Sequence, residues 1–135
     1  MPESTLLHLL SANAASRTPD APALTAQAAT LSYAELDAAV KAFASGLMGL
    51  DLRRGERVGI YLEKRFETVI ASFGAPAAGG VFVPMNPLLK PEQVAFIAQD
   101  CEVRVLVTSP ERLAQLAPSL ALCPALRQVV LTSAP

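Results

Sequence analysis

The sequence predicts an α/β fold: a mostly parallel sheet with helices on both faces, preceded by a helix and a β-hairpin. Three observations lead there. From Gly55 onward, short unbroken apolar runs alternate with amphipathic segments, the pattern of parallel strands buried on both faces and joined by crossover helices. Proline or glycine punctuates nearly every junction between them. Finally, 52% of the 135 residues are hydrophobic, enough for one core in a single domain of this length.

Taken in order, residues 4–16 read as a short helix with Ser4 or Thr5 as N-cap and leucines at 6, 7, 9 and 10. Pro19 and Pro22 end it, because proline lacks the N–H donor that a helix needs. Ala23–Ala26 and Thr30–Ser32 follow as the two strands of a small hairpin. The strongest helix signal runs from Tyr33 to Gly49. Tyr33, Leu36, Val40, Phe43, Leu47 and Leu50 recur at alternating steps of three and four, forming one stripe. Ser32 stands at its N-cap with Glu35 three positions on, a capping box.

Val58–Leu62 is the next strand. Phe66–Ala77 reads as a helix with Phe66, Val69, Ile70, Phe73 and Ala77 on its apolar face. Pro76 inside it is expected to kink it or to end its regular hydrogen bonding near Gly74. Gly79 and Gly80 follow where a left-handed C-cap favours glycine. Val81–Val83 reads as a short buried strand stopped by Pro84, and Pro91–Cys101 as a helix with proline in its first turn. Its stripe is Val94, Ile97, Ala98 and Cys101. Val103–Thr108 is a strand, Pro110–Leu116 a helix capped by Ser109, and Gln128–Thr132 a final strand. That strand runs almost directly to Pro135 with no helix after it, which reads as a domain cut from a longer protein.

Several function classes are excluded by composition. The formal net charge is −1 and no basic run exceeds two residues, so nucleic acid finds no electrostatic footprint. Cys101 and Cys123 have no CxxC or Cys/His spacing, so no metal site is expected, and two such thiols indicate a reducing compartment. The N-terminus has no positive region and too short an apolar run for a signal peptide. Nothing approaches the roughly 18 apolar residues of a membrane span. A cytoplasmic protein is expected. His8, the one histidine, has no carboxylate or cysteine near it in sequence and reads as structural. With G-x-S-x-G, Walker A and G-x-G-x-x-G all absent, no residue is assigned a catalytic role.

Ligands of open parallel sheets gather at the carboxyl ends of the strands. Three segments fall there: Glu63-Lys64-Arg65, Pro84 through Lys90, and Thr108-Ser109-Pro110. The charges at 63–65 could meet a phosphate or carboxylate, although a solvated loop is the plainer reading. Ser109 reads as a helix cap before it reads as an anion site. In the middle segment Asn86 is held between Pro84 and Pro87, and Lys90 precedes Pro91. Either this turn only positions two elements, or Asn86 and Lys90 face a ligand.

Leu31-Ser32-Tyr33-Ala34-Glu35-Leu36, Gly55-Glu56-Arg57-Val58 and Ala78-Gly79-Gly80-Val81-Phe82-Val83-Pro84, in this order and at these separations, resemble the N-terminal portion of the adenylate-forming enzymes. These are the AMP-forming acyl-CoA synthetases and their relatives, the nonribosomal-peptide adenylation domains and luciferases. The resemblance covers residues 5–135. Asn86-Pro87 after the third motif is more like acyl-CoA ligases than peptide-synthetase domains, which usually carry Asp there.

What the resemblance implies is an N-terminal subdomain, residues 1–135, of an AMP-dependent acyl-CoA ligase. Such an enzyme uses ATP and Mg²⁺ to turn a carboxylic acid into an acyl-adenylate, then transfers the acyl group to CoA. In the family the phosphate-cradling loop, the metal-binding acid and the mobile lysine follow the portion matched here. This stretch alone is therefore expected to be inactive and to hold no cofactor, its partners being the missing C-terminal parts of the parent. Some relatives place an arginine near the coenzyme A nucleotide where Leu88 and Leu89 stand here. Lys90, with Asn86, is then the cofactor-proximal candidate. Two alternatives stay open: a free-standing α/β module binding a nucleotide or acyl group, and a structural domain forming a homodimer through exposed apolar surface. Calorimetry with ATP, AMP and CoA separates the first, and sedimentation over a concentration series the second.

Overall fold

The computed structural model describes residues 7–133. Helix α1 (Leu7–Arg17) is followed by β1 (Pro22–Ala26) and β2 (Ala29–Ser32), an antiparallel hairpin. The caps expected at Ser4 and Thr5 lie outside the described residues. Helix α2 (Tyr33–Gly49) starts where the capping box places it. Ser32 Oγ accepts the Glu35 N–H at 3.1 Å, and Glu35 Oε1 accepts the Ser32 N–H at 2.9 Å. Two of the four donors that a helix start leaves free are thereby satisfied.

Strand β3 (Arg57–Ile60), helix α3 (Phe66–Ala77), strand β4 (Val81–Pro84), helix α4 (Pro91–Asp100), strand β5 (Val103–Thr108), helix α5 (Pro110–Leu120) and strand β6 (Gln128–Leu131) complete the alternation. The four strands form one parallel sheet in the order β4-β3-β5-β6. Helices cover both faces. Leu47 of α2 and Ala71 and Ala75 of α3 pack on Val58, Ile60, Val105 and Val107. Across the sheet, Val94 and Ala98 of α4 and Leu116 of α5 pack on Val103 and Leu106. Val103 and Val105 point to opposite faces although two residues apart. The register explains it: Arg57 pairs with Val103 but Val58 with Val105, leaving Arg104 as the extra residue of a bulge.

Four expectations change. Val81–Val83 is not a core strand, because β4 is an edge of the sheet and Val81 is 41% exposed. On α3 the large residues Phe66, Val69, Ile70 and Phe73 are only half-buried, and the small ones, Ala71, Gly74 and Ala75, carry the buried face. Small residues let α3 approach α2: a Cβ built on Gly74 would stand 2.5 Å from Phe43 Cδ2. Pro76 does not end α3 near Gly74. It sits in the last turn, so its missing donor costs a single bond, and Ala78 N–H still reaches Gly74 O at 3.0 Å. The helix ends at Gly79, left-handed at φ +85°, with Gly80 N–H bonded to Ala75 O and Gly79 N–H to Pro76 O, a Schellman motif. Finally, α5 continues past Leu116 to Leu120, through Pro118.

Candidate functional site

The chain leaves β3 outward to β4, then crosses back over β3 to β5 on its other side. That reversal puts the topological switch point between the carboxyl ends of β3 and β5, where such sheets open a crevice. All three segments singled out from the sequence meet around it, and two residues that the sequence did not single out join them.

Tyr61 prolongs β3 by donating its N–H to Val107 O at 2.9 Å. Its own carbonyl accepts the buried Thr108 hydroxyl at 2.7 Å. The ring is buried, and the phenol donates to Leu89 O at 2.6 Å, which gives a buried tyrosine the partner it requires. Arg112 reaches the same place from the first turn of α5. Ser109 caps that helix by accepting the Arg112 N–H at 3.3 Å, and Pro110 fixes the first helical position. The Arg112 guanidinium lies 4.5 Å from the Tyr61 ring centroid, in cation–π range. Its Nε donates to Glu63 Oε2 at 3.2 Å and its Nη1 to Pro87 O at 3.0 Å.

Glu63 also takes Arg65 Nη1 at 3.1 Å, while Arg65 Nη2 donates to Glu67 Oε2 at 2.7 Å. Glu63 is held below the usual carboxylate range first by its own backbone N–H and then by Arg112 and Arg65. Glu67 is lowered mainly by its hydrogen bond from Arg65. Folded-state values below the unfolded ones mean stability that is full above the ordinary glutamate pKa of about 4.3 and is lost as pH falls through the lowered values. Urea midpoints measured downward from about pH 6 are therefore expected to fall most steeply below about pH 4.3. Arg65→Met, which frees Glu67, should make that decline shallower; an unchanged slope would remove Arg65 as its cause.

Asn86 and Lys90 are both exposed. Asn86 Oδ1 accepts the Leu88 N–H at 2.9 Å, an Asx turn. Lys90 stands at the N-cap of α4, its N–H donating to Gln93 Oε1 at 2.8 Å. Lys90 and Lys64 belong to no ion pair among the described residues. Beside the charge cluster an open groove of about 770 Å³ runs between the hairpin and residues 63–69, lined by Leu24, Ala26, Lys64, Phe66 and Val69 among others. No three His, Cys, Asp or Glu side chains converge as for a metal among the described residues, and His8 belongs to no such group. Both cysteines are free, and burial pushes the Cys123 thiol up. No helix is long and apolar enough to cross a membrane among the described residues.

The arrangement can hold a turn in place and offer an exposed cation. It contains no nucleophile paired with a base.

Residues 11–135 match the family model described as AMP-binding enzyme. The chain is 32% identical over 107 residues to a surfactin synthase of Bacillus subtilis (the protein named surfactin synthase subunit 2), covering 79% of this chain and 3% of that protein. The crystal structure of the anthranilate CoA ligase AuaEII in complex with anthranoyl-AMP superposes with a TM-score of 0.89 at 25% identity, over 93% of this chain and 24% of that one. VinN in complex with 3-methylaspartate gives a TM-score of 0.80 at 31% identity, over 92% and 34%. The chain thus spans only a small part of the synthase and about a quarter to a third of the two solved chains. With a family model matched from residue 11 to residue 135 and a fold shared with these proteins, the chain belongs to the AMP-binding enzyme family, the adenylate-forming enzymes.

Proposed function

We propose that residues 1–135 are the N-terminal subdomain of an AMP-forming acyl-CoA ligase. The parent joins a carboxylic acid to ATP, releasing pyrophosphate, and passes the acyl group from the adenylate to the thiol of coenzyme A, releasing AMP. One observation supports the reading above others. The Pro84–Pro91 segment, whose Asn86-Pro87 resembles acyl-CoA ligases, is held at the carboxyl end of the sheet by Tyr61 and Arg112. Asn86 and Lys90 are the residues we assign to the neighbourhood of the coenzyme, where an exposed ammonium suits a phosphate. The groups that would take ATP and Mg²⁺ do not fit this stretch, which has neither a Ser/Thr/Gly loop closed by lysine nor a convergent acidic set among the described residues. We assign them to the remainder of the parent, and the chain alone is expected to be inactive.

A cytoplasmic location belongs to the same reading, in keeping with two free thiols. So does the assignment of exposed apolar residues such as Leu88, Phe96 and Leu122 to contacts with the rest of the parent. Self-association of the isolated chain in sedimentation would instead give those faces to a second copy.

A second reading is favoured by the higher identity to the surfactin synthase and to VinN than to the CoA ligase. In it the acid is an amino acid, and the acceptor thiol is carried on a protein. ATP–pyrophosphate exchange by the complete protein, over aryl, fatty and amino acids, followed by thioester formation with CoA, tests both. Formation of an acyl-CoA supports the first. Exchange with amino acids and no acyl-CoA supports the second. No exchange with any acid removes both, and exchange by the 135 residues alone removes the subdomain reading.

A further inference from the structure

Between Pro84 and Pro91, three of eight residues are proline and so offer no backbone donor. The turn has little with which to hold itself. Inside it, Leu88 N–H reaches Asn86 Oδ1 at 2.9 Å and Leu89 N–H reaches Asn86 O at 3.0 Å. Two of its carbonyls are taken by donors from other elements: Pro87 O by Arg112 Nη1 at 3.0 Å, and Leu89 O by the Tyr61 hydroxyl at 2.6 Å.

Those two donors are fixed to each other. The guanidinium sits 4.5 Å from the Tyr61 ring centroid, and Nε is anchored on Glu63 Oε2 at 3.2 Å. A planar cation with donors at fixed angles, stacked on a buried ring and tied at one edge, has one orientation left for its free edge. That edge points at Pro87. The ring in turn is held by the ends of β3 and β5, through Tyr61 N–H on Val107 O and Thr108 Oγ1 on Tyr61 O. A rigid path therefore runs from the centre of the sheet to a proline-rich turn at its edge.

We propose that Arg112, seated on Tyr61, is the positioning residue of the Asn86–Lys90 turn and so sets how that turn meets the thiol substrate. The inference rests on the acceptor reading above. Arg112 acts through the turn and touches no reacting atom. Lysine cannot replace it fully, because an ammonium on a flexible stem cannot stack flat and bridge Glu63 to Pro87 at once.

The test uses the complete protein as Arg112→Met and Arg112→Lys, with two readouts. The first is hydrogen–deuterium exchange at the Leu88 and Leu89 amides, with the Leu106 amide as internal standard. Arg112→Met is expected to speed exchange at the two turn amides about tenfold, the size of one lost charge-assisted hydrogen bond, with Leu106 unchanged. The second compares half-reactions. KM for CoA should rise about tenfold in Arg112→Met while ATP–pyrophosphate exchange stays within about twofold, and Arg112→Lys should fall between.

Unchanged turn amides in Arg112→Met overturn the proposal. So does an equal loss of both half-reactions, the mark of a merely structural residue. Should Arg112→Met also loosen Leu106, Arg112→Lys, which keeps the charge beside Glu63 but cannot bridge it to Pro87, decides by the same two amides: faster exchange with Leu106 unchanged supports the proposal, and unchanged exchange overturns it. A wild-type protein that makes no acyl-CoA removes the acceptor reading alone, and amide exchange still decides whether Arg112 sets the turn.

Discussion

Leu106→Ala is expected to destabilise the chain by about 2–5 kcal/mol, a large part of the roughly 5–15 kcal/mol that holds a domain folded. Leu106 is fully buried in β5, an inner strand, against Val94, Leu116 and their neighbours. Truncation removes three carbons from water-free contact and leaves a cavity that strands on either side cannot collapse into. The Leu88→Ala control deletes the same atoms from a residue 88% exposed and should change stability by no more than about 0.5 kcal/mol. Urea denaturation of the three chains checks this. The Leu106 variant should move its midpoint with little change in slope, and a shift equal to that of the Leu88 variant would deny the burial.

The second large effect is expected at Gly74. Its ideal Cβ would lie 2.5 Å from Phe43 Cδ2 and 3.3 Å from Phe43 Cγ, closer than real Cβ contacts permit. Alanine gains helix propensity of about 1 kcal/mol over glycine, which partly offsets the clash. Valine adds two methyl groups at the same place and gains less, so Gly74→Val should lose about 2–3 kcal/mol through displaced helices. Because one side chain accounts for all three nearest atoms, the two sites must be coupled. Phe43→Ala alone destabilises, but in that background Gly74→Val should cost less by about 1 kcal/mol or more. Strict additivity in the double mutant would show that the ring is not what Gly74 makes room for.

Local signals were legible where the cause is local. Ser32 with Glu35, Ser109 with Pro110, and Gly79 each determine a helix end through atoms within a few residues, and each element begins or ends where those residues put it. The order of strands is another matter. Val81-Phe82-Val83 is as apolar as a central strand, and only the crossing from β4 to β5 makes it an edge. On α3 the sequence pattern favours the stripe of large residues as the buried one, because hydrophobic periodicity weighs side-chain size. The close approach of α2 selects the reverse, small residues inward.

The site divides in the same way. The strand-end rule located the three segments, since it depends only on sheet type. Asn86 was legible as a turn residue because its partner, the Leu88 N–H, is two positions away. Tyr61 and Arg112 carried no such mark. A tyrosine at the end of an aliphatic strand and an arginine in the first turn of a helix are ordinary residues. They become a pair across 51 positions only through the register of β3 on β5.

The strand order also governs what can happen while the chain is being made. The inner pair, β3 and β5, is closed by contacts such as Thr108 on Tyr61, 47 residues apart in sequence. Until β5 has left the ribosome, β3 can pair only with β4, in a two-stranded sheet that α2 and α3 cover on one face while α5 is still missing from the other. At roughly 5–20 residues per second, the polypeptide spends several seconds in that open state, with Val58 and Ile60 still lacking Val105 and Val107 beside them. Arrest of translation between residue 60 and residue 108 should therefore leave the nascent chain more protease-sensitive than arrest after β6.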